Sequence, residues 1–78
     1  MNVRKTPINI EFTLKENARV RVDVFDILGC LLGTLLDDNK EAGSHKLVWD
    51  GSEMPIGIYH YQLKAGDHIE TKEIVLIR

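Results

Sequence analysis

The chain has 78 residues, ten Lys and Arg against twelve Asp and Glu, a formal net charge of −2 and 44% apolar residues. That is room for one domain, too apolar for intrinsic disorder, and too evenly charged for a nucleic-acid stripe or a polybasic membrane patch. A domain this small buries only about 60% of the surface its unfolded chain exposes. Its single cysteine, Cys30, closes no internal disulfide, so strand pairing and a thin core must carry the stability.

Nothing approaches the roughly 18 consecutive apolar residues of a membrane-spanning helix, so membrane insertion is not expected. Arg4 and Lys5 are followed by no apolar run of the signal-peptide kind. If the protein is exported, residues 1–78 are expected to be a piece of it, with the signal peptide upstream.

Period-two alternation runs along the whole chain. Ile8, Ile10, Phe12 and Leu14 alternate with polar residues as a first strand, which residues 15–18 break. Val20, Val22 and Val24 alternate with Arg19, Arg21 and Asp23 as a second. Residues 26–29 suit a hairpin connection, because Asp26 can bond the backbone ahead of it and Gly29 accepts a positive φ. A nearly continuous apolar run over 30–36 predicts a third strand, ending at Asp37, Asp38 and Asn39, with a polar loop over 40–43. His45, Leu47 and Trp49 share one parity on a fourth strand, closed by the turn residues Asp50 and Gly51.

Pro55 and Gly57 precede a fifth strand over 58–64. A short loop at 65–67 leads to a sixth over 68–77, where the apolar parity differs between Ile69 and the pair Ile74 and Leu76. This predicts a bulge near 71–73, or a strand covered on both faces at its end. A seventh strand is conceivable over 2–5. The expected fold class is all-β, an immunoglobulin-like antiparallel β-sandwich of about seven strands in a single domain over 1–78. Strands joined this tightly leave no room for a crossover helix.

Catalytic patterns are missing: no nucleophile elbow, no phosphate loop, no dinucleotide fingerprint. His45, His60 and His68 have no metal-ligand spacing. Counted across the last hairpin, His60 falls opposite Lys72 and His68 near Lys64, and His45 shares the parity of Trp49 at the edge of the core. Asp37, Asp38, Asn39 and Glu41 resemble a scrap of calcium loop but lack the glycine and the distal glutamate such a loop needs. Asp23 and Asp26 read as turn chemistry at a strand end, without a recess to tune a carboxylate. No enzyme activity, metal or cofactor is expected. Trp49, with Tyr59 and Tyr61 on the parity of Leu63, reads as core or its rim, although an exposed tryptophan would mark sugar or peptide recognition.

The second half carries an ordered set of motifs: Ala42-Gly-Ser-His-Lys-Leu-Val-Trp-Asp-Gly51, Pro55-Ile-Gly-Ile-Tyr59, Tyr61-Gln-Leu63, Ala65-Gly66, Lys72 and Val75-Leu-Ile-Arg78. Val24-Phe-Asp-Ile-Leu-Gly29 precedes them. Over residues 8–78 the chain resembles the type A C-terminal sorting domains of type IX secretion in the Bacteroidetes. It is also similar to the immunoglobulin-like domain of the flagellar hook-capping protein.

The resemblance implies a domain at the end of an exported passenger, read by an outer-membrane translocon and usually removed by a sortase-like peptidase. It therefore implies three partners: the translocon, that peptidase and an N-terminal passenger domain. It also implies a secreted or cell-surface location after passage through the periplasm. Carried over by position, the recognition residues are Pro55, Gly57, Tyr59, Lys72, Val75, Leu76 and Arg78. Gly29, Gly43 and Gly66 match turn glycines, and Trp49, Asp50 and Gly51 are structural. Pro55 fixes φ and Gly57 permits a backbone shape closed to other residues, which together set a bend into the Tyr59 strand.

The chain departs from the family's opening N-P-F-N-like segment, reading Arg4-Lys-Thr-Pro-Ile8. It is also apolar at Cys30 and Leu31, an edge that could contact a passenger or a second copy. Two other functions compete with sorting: a retained interaction module of a larger extracellular protein, and a carbohydrate-binding module around Trp49 and the tyrosines.

Overall fold

The computed structural model describes residues 7–51 and 54–76, and among these there is no helix. Six strands follow one another: β1 (Pro7–Leu14), β2 (Ala18–Phe25), β3 (Leu31–Lys40), β4 (Gly43–Asp50), β5 (Gly57–Ala65) and β6 (His68–Leu76). All pair antiparallel, in a two-stranded sheet β1-β4 and a four-stranded sheet β3-β2-β5-β6. The two sheets make the immunoglobulin-like sandwich expected from the sequence, with six strands rather than seven. The conceivable seventh over 2–5 lies outside the described residues.

Alternation decides which face each strand buries. On β1, Ile8, Ile10 and Phe12 lie opposite Trp49, Leu47 and His45 of β4 and turn toward the large sheet. Val20, Val22 and Val24 of β2, Tyr59, Tyr61 and Leu63 of β5, and Ile74 and Leu76 of β6 face back at them. With Ile10 and Leu14 these form the buried core. Eight of those ten side chains belong to the four-stranded sheet, so a narrow sheet lies over the middle of a wide one. Where the wide sheet is uncovered its inner face turns polar: Asp38 and Lys40 follow Leu36 on β3, and Glu70 and Lys72 precede Ile74 on β6.

Three expectations are corrected. The third strand does not stop at 36, because residues 37–40 pair with 18–21 of β2. Arg19 reinforces the pairing, its Nε donating to Asp37 Oδ1 at 3.1 Å. Polar residues extend an edge strand as readily as apolar ones when their side chains face water. The predicted bulge in the last strand is absent, since β6 pairs with β5 without interruption from His68 to Leu76. Nor is that strand covered on both faces: Ile69 and Val75 simply point outward and remain exposed. The irregularities lie instead on β3, where the register shifts at Val22/Asp23 and at Val24/Phe25. Finally, His60 is opposite Glu73, and Tyr61 is the residue opposite Lys72.

Candidate functional site

The carried-over residues fall in two places, the corner at 55–59 and the last strand. The Tyr59 hydroxyl donates to the Pro55 carbonyl at 2.6 Å. This is the tyrosine corner of immunoglobulin-like sandwiches, in which a tyrosine near a strand's start bonds back to the backbone just upstream. The Trp49 ring meets that of Tyr59 edge-on, with centroids 6.1 Å apart. Gly51 is buried, and a Cβ on it would lie 2.9 Å from Leu76 Cδ1. Glycine therefore lets β6 close against the end of β4. The Trp-Asp-Gly element, the Pro-x-Gly-x-Tyr element and the terminal strand are separate in sequence and packed together at one end of the sandwich. Asp50 ends β4 opposite Pro7, and the Gly51 carbonyl accepts the Met54 N–H at 2.9 Å.

Gly57 has a φ of +159°, a backbone conformation that L side chains rarely adopt, and its Cβ position faces open space. The Tyr59–Pro55 bond and proline's fixed φ also hold the bend. Gly29, Gly43 and Gly66 have φ of +87°, +124° and +61°.

On β6, Ile74 and Leu76 are buried while Val75 is exposed on the outer face. Lys72 Nζ lies 3.2 Å from Glu70 Oε2. The hydrogen bond to Glu70, then its charge, then the charge of Tyr61 raise the Lys72 pKa above the ordinary lysine value. Arg78 lies outside the described residues. β6 has β5 on one side and no strand on the other among the described residues. Its edge is regular, whereas the opposite edge strand β3 is interrupted twice.

The other candidates resolve into structure. His45 stacks on Phe12 with centroids 5.3 Å apart, and its Nε2 lies 2.6 Å from the Glu41 carbonyl oxygen. His68 Nε2 lies 3.8 Å from Glu70. No three of His, Cys, Asp and Glu converge among the described residues. Asp37 is paired with Arg19, and Asp38 Oδ1 accepts the Asn39 N–H at 2.8 Å. Asp23 is not a turn residue at a strand end, as its spacing had implied. It is buried on the outer face of β2, accepting from Arg21 Nε at 3.0 Å and from the Thr34 hydroxyl at 2.7 Å. The register shift between Val22 and Asp23 brings Thr34 opposite Asp23, which alternation cannot reveal. Trp49, Tyr59 and Tyr61 all turn inward, so the aromatic platform a carbohydrate module needs is not formed by them.

The 26–30 turn does more than its composition suggested. Asp26 Oδ1 accepts the Leu28 and Cys30 N–H groups, each at 2.9 Å. Asp26 N–H donates to the Cys30 carbonyl at 2.9 Å, and Gly29 N–H to the Asp26 carbonyl at 3.0 Å. This rigid turn displays Ile27 and Leu28 at 66% and 84% exposure. The signal was legible in advance: two large apolar residues stand between Asp26 and Gly29, where turn chemistry asks for polar ones.

Among known proteins, the family model for the secretion system C-terminal sorting domain matches residues 4–77. No curated protein and no solved structure matches the chain significantly.

Proposed function

Because this chain belongs to the family of secretion system C-terminal sorting domains, we propose that it directs an exported passenger to the type IX translocon through its tyrosine corner and final strand. The family is a non-catalytic signal module found on secreted or cell-surface proteins. The observation that carries the residue-level reading is the packing of Leu76 on Gly51 beside the Tyr59–Pro55 bond. It presents the corner and β6 as one preformed surface, which lowers the ordering cost of recognition. Beside that surface, β6 offers a regular open edge of the kind that receives a partner strand. The passenger, the translocon and a sortase-like peptidase are the partners this reading requires. Pro55, Gly57, Tyr59, Lys72, Val75, Leu76 and Arg78 are the contact and framing residues.

The test fuses residues 1–78 behind a signal peptide and a reporter in a type IX-competent host. Surface or medium delivery is expected for the fusion, with loss on deleting residues 72–78. Since that deletion also removes core side chains, Val75→Asp, which changes only an exposed position, provides the folded control. A reporter that stays periplasmic with the intact domain, or is exported equally well without residues 72–78, sinks the sorting role. Export that is independent of the domain, with the domain retained in the mature product, would instead identify a structural interaction module.

A further inference from the structure

A groove of about 800 Å³ opens between the two sheets, at the end of the sandwich away from the tyrosine corner. β1 lines it with every residue from Glu11 to Leu14, and the chain continues along it through Lys15 and Glu16. β5 and β6 line it with alternate residues only, Leu63 and Ala65, then His68, Glu70 and Lys72. Alternate residues belong to a strand's face, and consecutive ones to its edge. The groove is therefore a slot, with the edge of β1 as its wall and the inner face of β5 and β6 as its floor. Among the described residues β1 pairs with β4 on one side and with no strand on the other. Two strands are also fewer than a stable sheet ordinarily has. We propose that the slot receives an extended segment of a partner protein as a third strand on β1, a segment that alternates apolar and basic residues. This site stands independently of the sorting role, and its test measures no export.

The residues of the slot define that occupant. Phe12 and Ala65 turn inward and are only partly buried, so a strand beside them gains by turning apolar side chains inward too. Residues directly across a strand pair share a face, so the neighbours of Glu11 and Thr13 point outward. On the floor Glu70 is answered by Lys72, a neutral pair whose aliphatic stems tolerate a strand above them. Glu11, Glu16 and Asp67 hold no ion pair among the described residues. Lys46 faces Glu11 from β4, on the side away from the slot. Along the slot itself three carboxylates therefore stand against Lys15, and opposite charges across a strand pair attract. A second copy fits poorly: antiparallel pairing of two β1 edges centred on 11–16 sets Glu11 of one copy opposite Glu16 of the other, and like charges there repel. Residues 1–6, turned back at Pro7, span at most about 21 Å and fall short of the far end of the slot at Glu16.

The experiment titrates the full chain with a short capped peptide alternating valine and lysine, at neutral pH and low salt, and follows it by NMR. Backbone shifts should move over 11–16 and 68–72 and not over β3. Replacing the peptide's lysines by glutamate should weaken binding by about tenfold or more. A strand added at one edge turns only every second amide toward its neighbour. N-methylation of alternate peptide amides should therefore abolish binding in one frame and spare it in the other. Glu11→Lys combined with Glu16→Lys, both at exposed positions, should reverse the preference between the two peptides at an unchanged melting temperature. No binding, equal binding of the glutamate peptide, or indifference to methylation in both frames overturns the proposal, as do shifts centred on β3. Two further results also overturn it. Open-edge amides of β1 that resist hydrogen exchange in the free chain, and lose that protection when residues 1–6 are removed, would assign the slot to the chain's own N-terminus. A dimer of the free chain that the peptide dissociates would assign it to a second copy.

Discussion

At one end of the four-stranded sheet the outward residues include Leu31, Phe25, Ile58 and Val75. Toward the other end they include Asn39, Arg19, Lys64 and Ile69. The same four strands thus carry two chemistries along their length, while their inner faces bury one continuous core. At the charged end the Arg19–Asp37 pair is exposed on both sides and gains little from its geometry in water. At the apolar end a carboxylate, a proline, a tyrosine hydroxyl and a close glycine approach hold the backbone in place around uncovered aliphatic groups. Exposed apolar side chains thus stand on a hydrogen-bonded turn at one end, and an exposed ion pair stands on paired strand at the other.

That contrast can be broken by measurement. The largest effect should come from Leu76→Ala at the packed end, which removes a buried side chain and should cost about 2–5 kcal/mol in denaturant unfolding. A cost below about 1 kcal/mol would mean that β6 is not locked against Gly51. Asp26→Ala should cost about 1–2 kcal/mol by freeing two amides. It should also raise hydrogen exchange at Leu28 and Cys30, and unchanged exchange there would refute the rigid turn. Tyr59→Phe should cost about 0.5–1.5 kcal/mol, the worth of one hydrogen bond.

Arg19→Ala, at the charged end, should shift stability by less than about 1 kcal/mol and lose even that in high salt. An effect as large as that of Asp26→Ala would erase the distinction between the ends. The smallest effect is the pH dependence carried by Lys72. Its folded pKa is raised, chiefly by the hydrogen bond to Glu70. The stabilisation is therefore present from neutral pH up to the unfolded lysine pKa of about 10.4 and is lost as pH rises through the folded value. Melting temperatures compared at neutral and strongly alkaline pH should show this loss in the parent and not in Glu70→Gln.

Much of the fold is legible without coordinates, because strand alternation is a local property: each of Val20, Val22 and Val24 announces its face through its neighbours. The motif order likewise led to the family to which the chain belongs. The β3 extension over 37–40 was not legible, since those residues are polar and become strand only because 18–21 lie beside them. The parity of Ile69 against Ile74 and Leu76 suggested a bulge because alternation assumes that apolar residues are buried, and Ile69 is not.

The chain alone determined that it folds as β-sandwich strands, where most of its turns fall, and which side chains make the core. Each follows from the pleat and from the backbone limits of Pro, Gly and Asp. Only the tertiary structure decided that Gly51 receives Leu76, and that Ile27 and Leu28 share an end of the sheet with Ile58 and Val75. Those are pairings between distant segments, set by strand register across the sheet, and no local pattern of residues encodes register between strands that are not neighbours in sequence.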